Sequence, residues 1–388
     1  MLTYFSADWV FPVSTSPLRN GIVSVNEAGE IQEILTEAAA QQRQIKVDKF
    51  KGAIVPGFIN THCHLELSHM FGKVPEHKGL VEFVQTVIKS RSADVGEIQS
   101  AMLIADQKMF DQGIVAVGDI SNQLISKGVK LQSKIHYHTF VEALSFNPER
   151  ATATMDFANE IKNQFAPLPA TVVPHAPYSV SPALFALINA AAEKDHAFIS
   201  VHNQETADEN EFFENKSGGF LRLYQFLGLD LAFFKPSGKT SLQTWLPAIK
   251  KQKTLLVHNT VSNRADIDFA KDNHTDLYWC LCPQANLYIE NTLPDVDLFI
   301  SERLKITLGT DSLASNHQLN ILAEMKTLQV LKKVEFEKLL QWATLNGADF
   351  LGLSHRFGSI EVGKSPGLNL IQLSEGFEIE SDQVIKLA

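Results

Sequence analysis

The chain of 388 residues predicts an α/β fold: a (β/α)8 TIM barrel with a small β-sandwich domain formed by its N- and C-terminal segments. Two observations carry this expectation. Short apolar runs ending in polar or Gly/Pro residues alternate with longer stretches of helical periodicity, the pattern of repeated βα units. The two ends of the chain lack that alternation and read as short strands and turns.

Taken in order, Leu2 to Lys51 gives the first of these strand-rich segments, with Gly21 to Asn26 as an example. Eight parallel strands follow, with carboxyl ends at Asn60 to His64, Gly118 to Ser121, Phe140 to Glu142, Pro174 to Pro177, Val201 to Gln204, Val257 to Asn259, Cys282 to Pro283 and Gly309 to Asp311. Between them, helical periodicity covers Gly79 to Arg91, Glu97 to Gln112, Pro182 to Lys194, Gly219 to Leu227 and Asn320 to Leu331. The last thirty or so residues return to strand character, as in Leu368 to Leu373. Residues 1–54 plus 356–388 are therefore expected to form the small domain and residues 55–355 the barrel.

Composition narrows the partners. With 45% hydrophobic and 20% charged residues the chain can bury a large core, which excludes disorder. A formal net charge of -10 repels phosphate backbones, and no Lys/Arg stripe offsets it, so nucleic acid is not an expected partner. Met1 to Pro12 has no basic region ahead of an apolar core, and no window reaches the length of a membrane span. Only Cys63, Cys280 and Cys282 are present, too few for a disulfide framework, so a reducing cytoplasm is expected. Cys280 and Cys282 share one face of a strand and read as buried small residues rather than a metal site.

Chemistry in such a barrel sits at the carboxyl ends of the strands. The first strand ends in Thr61-His62-Cys63-His64, and because side chains alternate, His62 and His64 project to one face and can hold one metal. A second His-x-His, His136-Tyr137-His138, lies in the third strand and reads as structural. What separates the first pair is its company: His175 after strand four, His202 after strand five, His258 after strand six and Asp311 after strand eight. Imidazole and carboxylate together suit zinc (Zn2+) or ferrous iron (Fe2+), so the barrel is expected to be metal-dependent.

These residues carry a resemblance over nearly the whole chain. Val55-Pro56-Gly57-Phe58-Ile59-Asn60-Thr61-His62-Cys63-His64 and Leu308-Gly309-Thr310-Asp311-Ser312 resemble the strand-one and strand-eight signatures of the amidohydrolase superfamily. Ala343 to Ala348 and Gly358 to Lys364 resemble its closing helix and its return to the β domain. Pro174-His175-Ala176-Pro177-Tyr178-Ser179, His202-Asn203-Gln204-Glu205 and Cys282-Pro283-Gln284-Ala285-Asn286 resemble the branch of adenosine-type, guanine and cytosine deaminases and triazine chlorohydrolases. Ala285 stands where that pattern has Ser.

The resemblance implies that His62, His64, His202 and Asp311 ligate one divalent metal, zinc first and ferrous iron second. No lysine follows strand four to bridge a second metal. Asp311 would accept a proton from water, His258 would orient the hydroxide and stabilise developing charge, and Glu205 would shuttle the proton. The alternative for Glu205 is an exposed carboxylate at a helix start. His175, Glu66, Asn286 and Trp279 are expected to contact substrate, with Glu66 equally readable as a solvated loop residue.

His62-Cys63-His64-Leu65-Glu66-Leu67-Ser68-His69 and the amphipathic stretch through Phe83 and Val87 to Arg91 resemble aminodeoxyfutalosine deaminases of the alternative menaquinone route. The implied activity is hydrolytic deamination of an adenine nucleoside derivative, aminodeoxyfutalosine first. Guanine or another aminated heterocycle ranks second, and chloride displacement or amide hydrolysis third. A metal-free structural or interaction relative is the alternative from another class. The resemblance also implies a homodimer acting on a small molecule.

Overall fold

In the computed structural model, which describes residues 2–388, eight parallel strands follow one another in chain order. They are β1 (Phe58–Cys63), β2 (Ile114–Ser121), β3 (His136–Ala143), β4 (Ala170–Pro174), β5 (Ile199–Asn203), β6 (Thr254–His258), β7 (Leu277–Leu281) and β8 (Lys305–Leu308). They make two four-stranded sheets, β1 to β4 and β5 to β8, each strand paired in parallel with the next. Main-chain hydrogen bonds also join the sheets to one another. Thr310 N and Asp311 N donate to His62 O at 3.0 and 3.1 Å, and His202 N donates to His175 O at 3.0 Å. The arrangement is of TIM-barrel type.

The strand period of two sorts side chains into two layers. Ile59, Phe140, Leu255, Val257, Tyr278 and Cys280 pack together on one side of the strands. Phe58, Val141, Leu256, Trp279 and Leu281 face the other way and meet the helices, among them Met102, Met109, Leu184, Ile188 and Met325. The helices lie close to their expected spans: Leu80–Ser90, Val95–Asp111, Pro182–Asp195, Phe220–Phe226 and Ile321–Lys332. Local chemistry starts several of them. Ser181 Oγ accepts from Leu184 N at 3.3 Å ahead of Pro182, and Asn263 with Asp266 forms a reciprocal capping box at Arg264–Asn273.

The chain ends form two small sheets. One runs in the order Ile31–Leu35, Ile22–Val25, Thr3–Ser6, Asp48–Lys49; the other Ile385–Lys386, Leu368–Ile371, Ala53–Pro56, Trp9–Val10, Leu18–Arg19. Phe5, Val23 and Ile31 from the first and Val10, Ile54 and Leu370 from the second belong to one apolar cluster. The N- and C-terminal segments do pair, through Ala53–Pro56 against Leu368–Ile371. The expected boundary after residue 54 cuts this strand in two, because Val55 and Pro56 still pair with Asn369 and Leu368. Among the described residues, no helix is long and apolar enough to cross a membrane.

Candidate active site

Strand ends on opposite sides of the seam bring the expected metal ligands together. His62 Nε2 and His64 Nε2 lie 3.1 Å apart, and Asp311 Oδ1 is 3.3 Å from the latter and 3.7 Å from the former. The His202 ring centroid lies 4.8 Å from that of His62 and 5.4 Å from that of His64. His62, His202, His258 and Asp311 each offer a ligand atom within 4.8 Å of the others.

Protonation favours a cation at this centre. Burial drives the His62 and His64 imidazoles down to about 3 and also lowers His202, so the rings are neutral. Burial alone would raise Asp311, but the His62, His64 and His258 rings around it hold its carboxyl well below the usual range. Neutral imidazole nitrogens and an ionised carboxylate oxygen, converging at these distances, are the donor set a divalent cation needs. His202 Nδ1 lies 2.8 Å from the His175 carbonyl, to which it donates, and this turns Nε2 of His202 toward the centre.

The backbone is held in sparsely populated conformations at this point. His258, Asn259 and Asp311 have φ of 74°, 58° and 57°, each a cost of about 1–3 kcal/mol for a residue with a Cβ. Surrounding bonds enforce them: Asn259 N donates to Asn203 O at 2.9 Å, and Ser315 Oγ donates to Asp311 Oδ2 at 2.5 Å. Gly309 is required for the close approach of β8 to β1, since a Cβ there would lie 2.8 Å from His62 Cβ and 2.9 Å from Cys280 Sγ.

Glu205 is buried beside this cluster, with Oε1 3.6 Å from His258 Nε2. Burial, then the charge of Asp311, pushes its carboxyl well above the ordinary range. The expectation of an exposed helix-start carboxylate is thereby excluded. Glu209 holds the loop, accepting from Gln204 N at 3.0 Å and Glu205 N at 3.3 Å. Asn286 Nδ2 donates to Thr260 Oγ1 at 2.8 Å and stands 3.3 Å from His258 Nδ1. With Nδ1 accepting, the proton of the neutral ring sits on Nε2, a buried atom without a hydrogen-bond partner on the protein.

Of the four expected substrate contacts, two line the cavity that opens on this cluster. His175 does so, with Nδ1 2.6 Å from Ser179 Oγ. Glu66 does so as a buried group, accepting from Asn122 N at 3.1 Å, and is not the solvated loop residue of the alternative reading. Asn286 is not among the lining residues and reaches His258 instead. Trp279 is a correction. It lies between Tyr278 and Cys280, which face the strand interior, so alternation turns its ring outward onto Phe299 at 5.3 Å.

Other residues of the site escaped the sequence reading. Glu142, next to the end of β3, lines the cavity, with Oε1 buried, unpartnered and 3.5 Å from His202 Nδ1. Its place at a strand end was the signal that could have found it. Asn122, directly after β2, carried the same signal; Arg91, at the end of a helix, and Tyr178, in the turn after β4, line the cavity from farther along the chain. His138 is buried 3.2 Å from Thr171 Oγ1 and the three cysteines are buried and free, as structural residues should be.

Known proteins match this geometry. The model of the amidohydrolase family matches residues 53–387. An adenosine deaminase of Helicobacter pylori is 27% identical over 344 residues, 87% of this chain and 83% of that protein. An aminodeoxyfutalosine deaminase of Nitratiruptor is 28% identical over 337 residues, 83% of this chain and 80% of that protein. The crystal structure of Helicobacter pylori aminofutalosine deaminase with methylthio-coformycin superposes with a TM-score of 0.82 at 24% identity, covering 98% of this chain and 94% of that one. With the match spanning the eight parallel strands and the whole strand-end cluster, the chain belongs to the amidohydrolase family.

Proposed function

We propose that this protein is a hydrolytic deaminase of an adenine nucleoside derivative, with aminodeoxyfutalosine as the first substrate to test. The observation that carries the reading is the buried Glu205 carboxyl, 3.6 Å from His258 Nε2 at the edge of the cluster, where burial pushes it well above the ordinary carboxylate range. The names of the relatives support the same chemistry.

His62, His64, His202 and Asp311 would hold the metal, and this ligand set favours zinc. A divalent cation held there would supply hydroxide at neutral pH, by lowering the pKa of a bound water to about 7. Asp311, ionised, accepts the proton that the attacking water gives up. His258, with its proton on Nε2, donates to the oxygen as charge develops on it and keeps it aimed at the ring carbon. Glu205 starts protonated, gives its proton to the adjacent ring nitrogen as the carbon becomes tetrahedral, then passes the proton from the hydroxyl to the departing amine. Departure of ammonia leaves Glu205 ionised and the first proton of the water on Asp311, and return of that proton from Asp311 to Glu205 restores both carboxyls for the next turnover.

The same reading takes the two parallel sheets as halves of one closed barrel and the two terminal sheets as a β-sandwich domain. It also carries the homodimer, which light scattering of the purified protein checks. The test of function is ammonia release from metal-replete protein with adenosine, methylthioadenosine, aminodeoxyfutalosine and guanine. Ammonia from an adenine nucleoside is expected; none from any of the four overturns the deaminase reading. Glu205→Gln should keep its metal and lose about 10²–10⁴-fold in kcat. Full activity in that variant refutes the shuttle.

A further inference from the structure

The two oxygens of the Asp311 carboxyl have different surroundings. Its contacts with the histidine rings run through Oδ1, 3.3 Å from His64 Nε2 and 3.7 Å from His62 Nε2. Oδ2 meets the hydroxyl of Ser315 at 2.5 Å instead. Ser315 is 0% exposed and is not among the residues lining the cavity, so it reaches the site only through Asp311.

A hydroxyl has one proton to give, and three acceptors surround this one. Asp311 Oδ2 stands at 2.5 Å, and the carbonyl and Oγ of Ser312 both stand at 3.2 Å. The proton goes to the carboxylate, which is both nearest and charged, and the distance is that of a charge-assisted bond from a hydroxyl. The loop fixes the hydroxyl in place. Ser315 N donates to Ser312 O at 3.1 Å and Ala314 N to Ser312 Oγ at 3.2 Å, closing a turn directly after Asp311. Asn316 then pins that turn to the barrel, its Nδ2 donating to Thr310 O at 2.9 Å and to the buried Glu324 Oε1 at 2.8 Å.

Resting on the metal-dependent reading above, we infer that Ser315 is a positioning residue that keeps the metal site open. A carboxylate can bind a divalent cation through one oxygen or through both. By holding Oδ2 back, Ser315 leaves Asp311 to act as a ligand through Oδ1 alone. Three imidazoles and one carboxylate oxygen then leave a coordination position free, as a catalytic site requires. Released from Ser315, Oδ2 would turn toward the cluster and compete for that position.

The test compares wild type, Ser315→Ala and Ser315→Thr, each loaded with Co2+, whose visible spectrum reports the coordination of the site. Azide, a small anion that takes an open coordination position, is titrated into each. Wild type and Ser315→Thr should bind azide alike. Ser315→Ala, which removes only Oγ, should bind it about 10- to 100-fold more weakly, the range of a hydrogen bond to a charged group. In the same variant, kcat on the best of the four substrates named above should fall by a similar factor with KM little changed, and Ser315→Thr should restore it. Unchanged azide affinity in Ser315→Ala overturns the inference, whatever happens to kcat. Loss of Co2+ from Ser315→Ala overturns it too, because a hydroxyl that only supports the loop would release the cation rather than close its free position. Failure of the wild type to bind Co2+ removes both the inference and the metal-dependent reading. No ammonia from any substrate, with the azide difference intact, removes the deaminase reading and leaves Ser315 its role.

Discussion

Replacing Lys130 with methionine removes one half of an ion pair that solvent does not reach. Lys130 Nζ lies 2.6 Å from Asp119 Oδ2 with both side chains 0% exposed, and it also donates to Ser121 Oγ and Thr139 Oγ1, each at 3.0 Å. Asp119 Oδ1 in turn accepts from Leu65 N at 2.8 Å, and Leu65 directly follows His64. The pair therefore sets the backbone that carries a ligand of the cluster. Burial already pushes the Asp119 carboxyl up, and Lys130 is what opposes it.

Breaking a buried pair from one side costs about 3–5 kcal/mol, because the remaining carboxylate stays in a dry site or must take up a proton. Lys130→Met should lose that much unfolding free energy in urea denaturation and should bind zinc more weakly, read by competition with a chromophoric chelator. Lys130→Met with Asp119→Leu should recover most of the stability, since two apolar groups leave no buried charge. It should not recover the metal affinity, because Asp119→Leu also removes the acceptor of Leu65 N. A single variant within about 0.5 kcal/mol of wild type, the range of an ordinary surface substitution, would refute the reasoning.

Three further outcomes are expected. Asn286→Leu, which removes the donor to His258 Nδ1 and Thr260 Oγ1, should lower kcat/KM by about 10- to 100-fold with metal retained; wild-type kinetics would deny Asn286 its positioning role. Trp279→Ala should cost about 3–5 kcal/mol of stability without a selective rise in KM, and a rise in KM alone would return that ring to the cavity. Glu324 is fully buried, and burial raises its carboxyl from 4.5 to about 8 while it accepts from Gln284 N and Asn316 Nδ2. A raised folded value means stability that is present below the unfolded value and lost as pH rises through the folded one. The wild type should therefore lose stability between about pH 5 and pH 8, and Glu324→Gln should flatten that slope; an unchanged slope in denaturation midpoints would assign it to other groups.

Much of the site was legible because its signals are local. A period of two places His62 and His64 on one face, and βα alternation puts His175, His202, His258 and Asp311 at strand ends. Both follow from backbone geometry that acts over a few residues. Glu205 was reachable for the same reason, three residues beyond His202 at the end of β5.

The two misplaced substrate contacts fail on what lies between strand ends. Alternation along β7 through Tyr278 and Cys280 sends Trp279 to the helix layer. Asn286 sits one turn into the helix Pro283–Glu290, where the neighbouring strand end, with His258 and Thr260, takes its amide.

Periodicity and motifs a few residues long are enough to read the βα order, the placing of His62, His64, His202 and Asp311 at strand ends and the pairing of the two chain ends. Long-range packing is what sets Lys130 under Asp119, turns Glu142 toward His202, and brings the apolar face of the helix after β1 and Arg91 to the cavity. Those placements depend on how distant segments pack and exclude water, which no local pattern encodes.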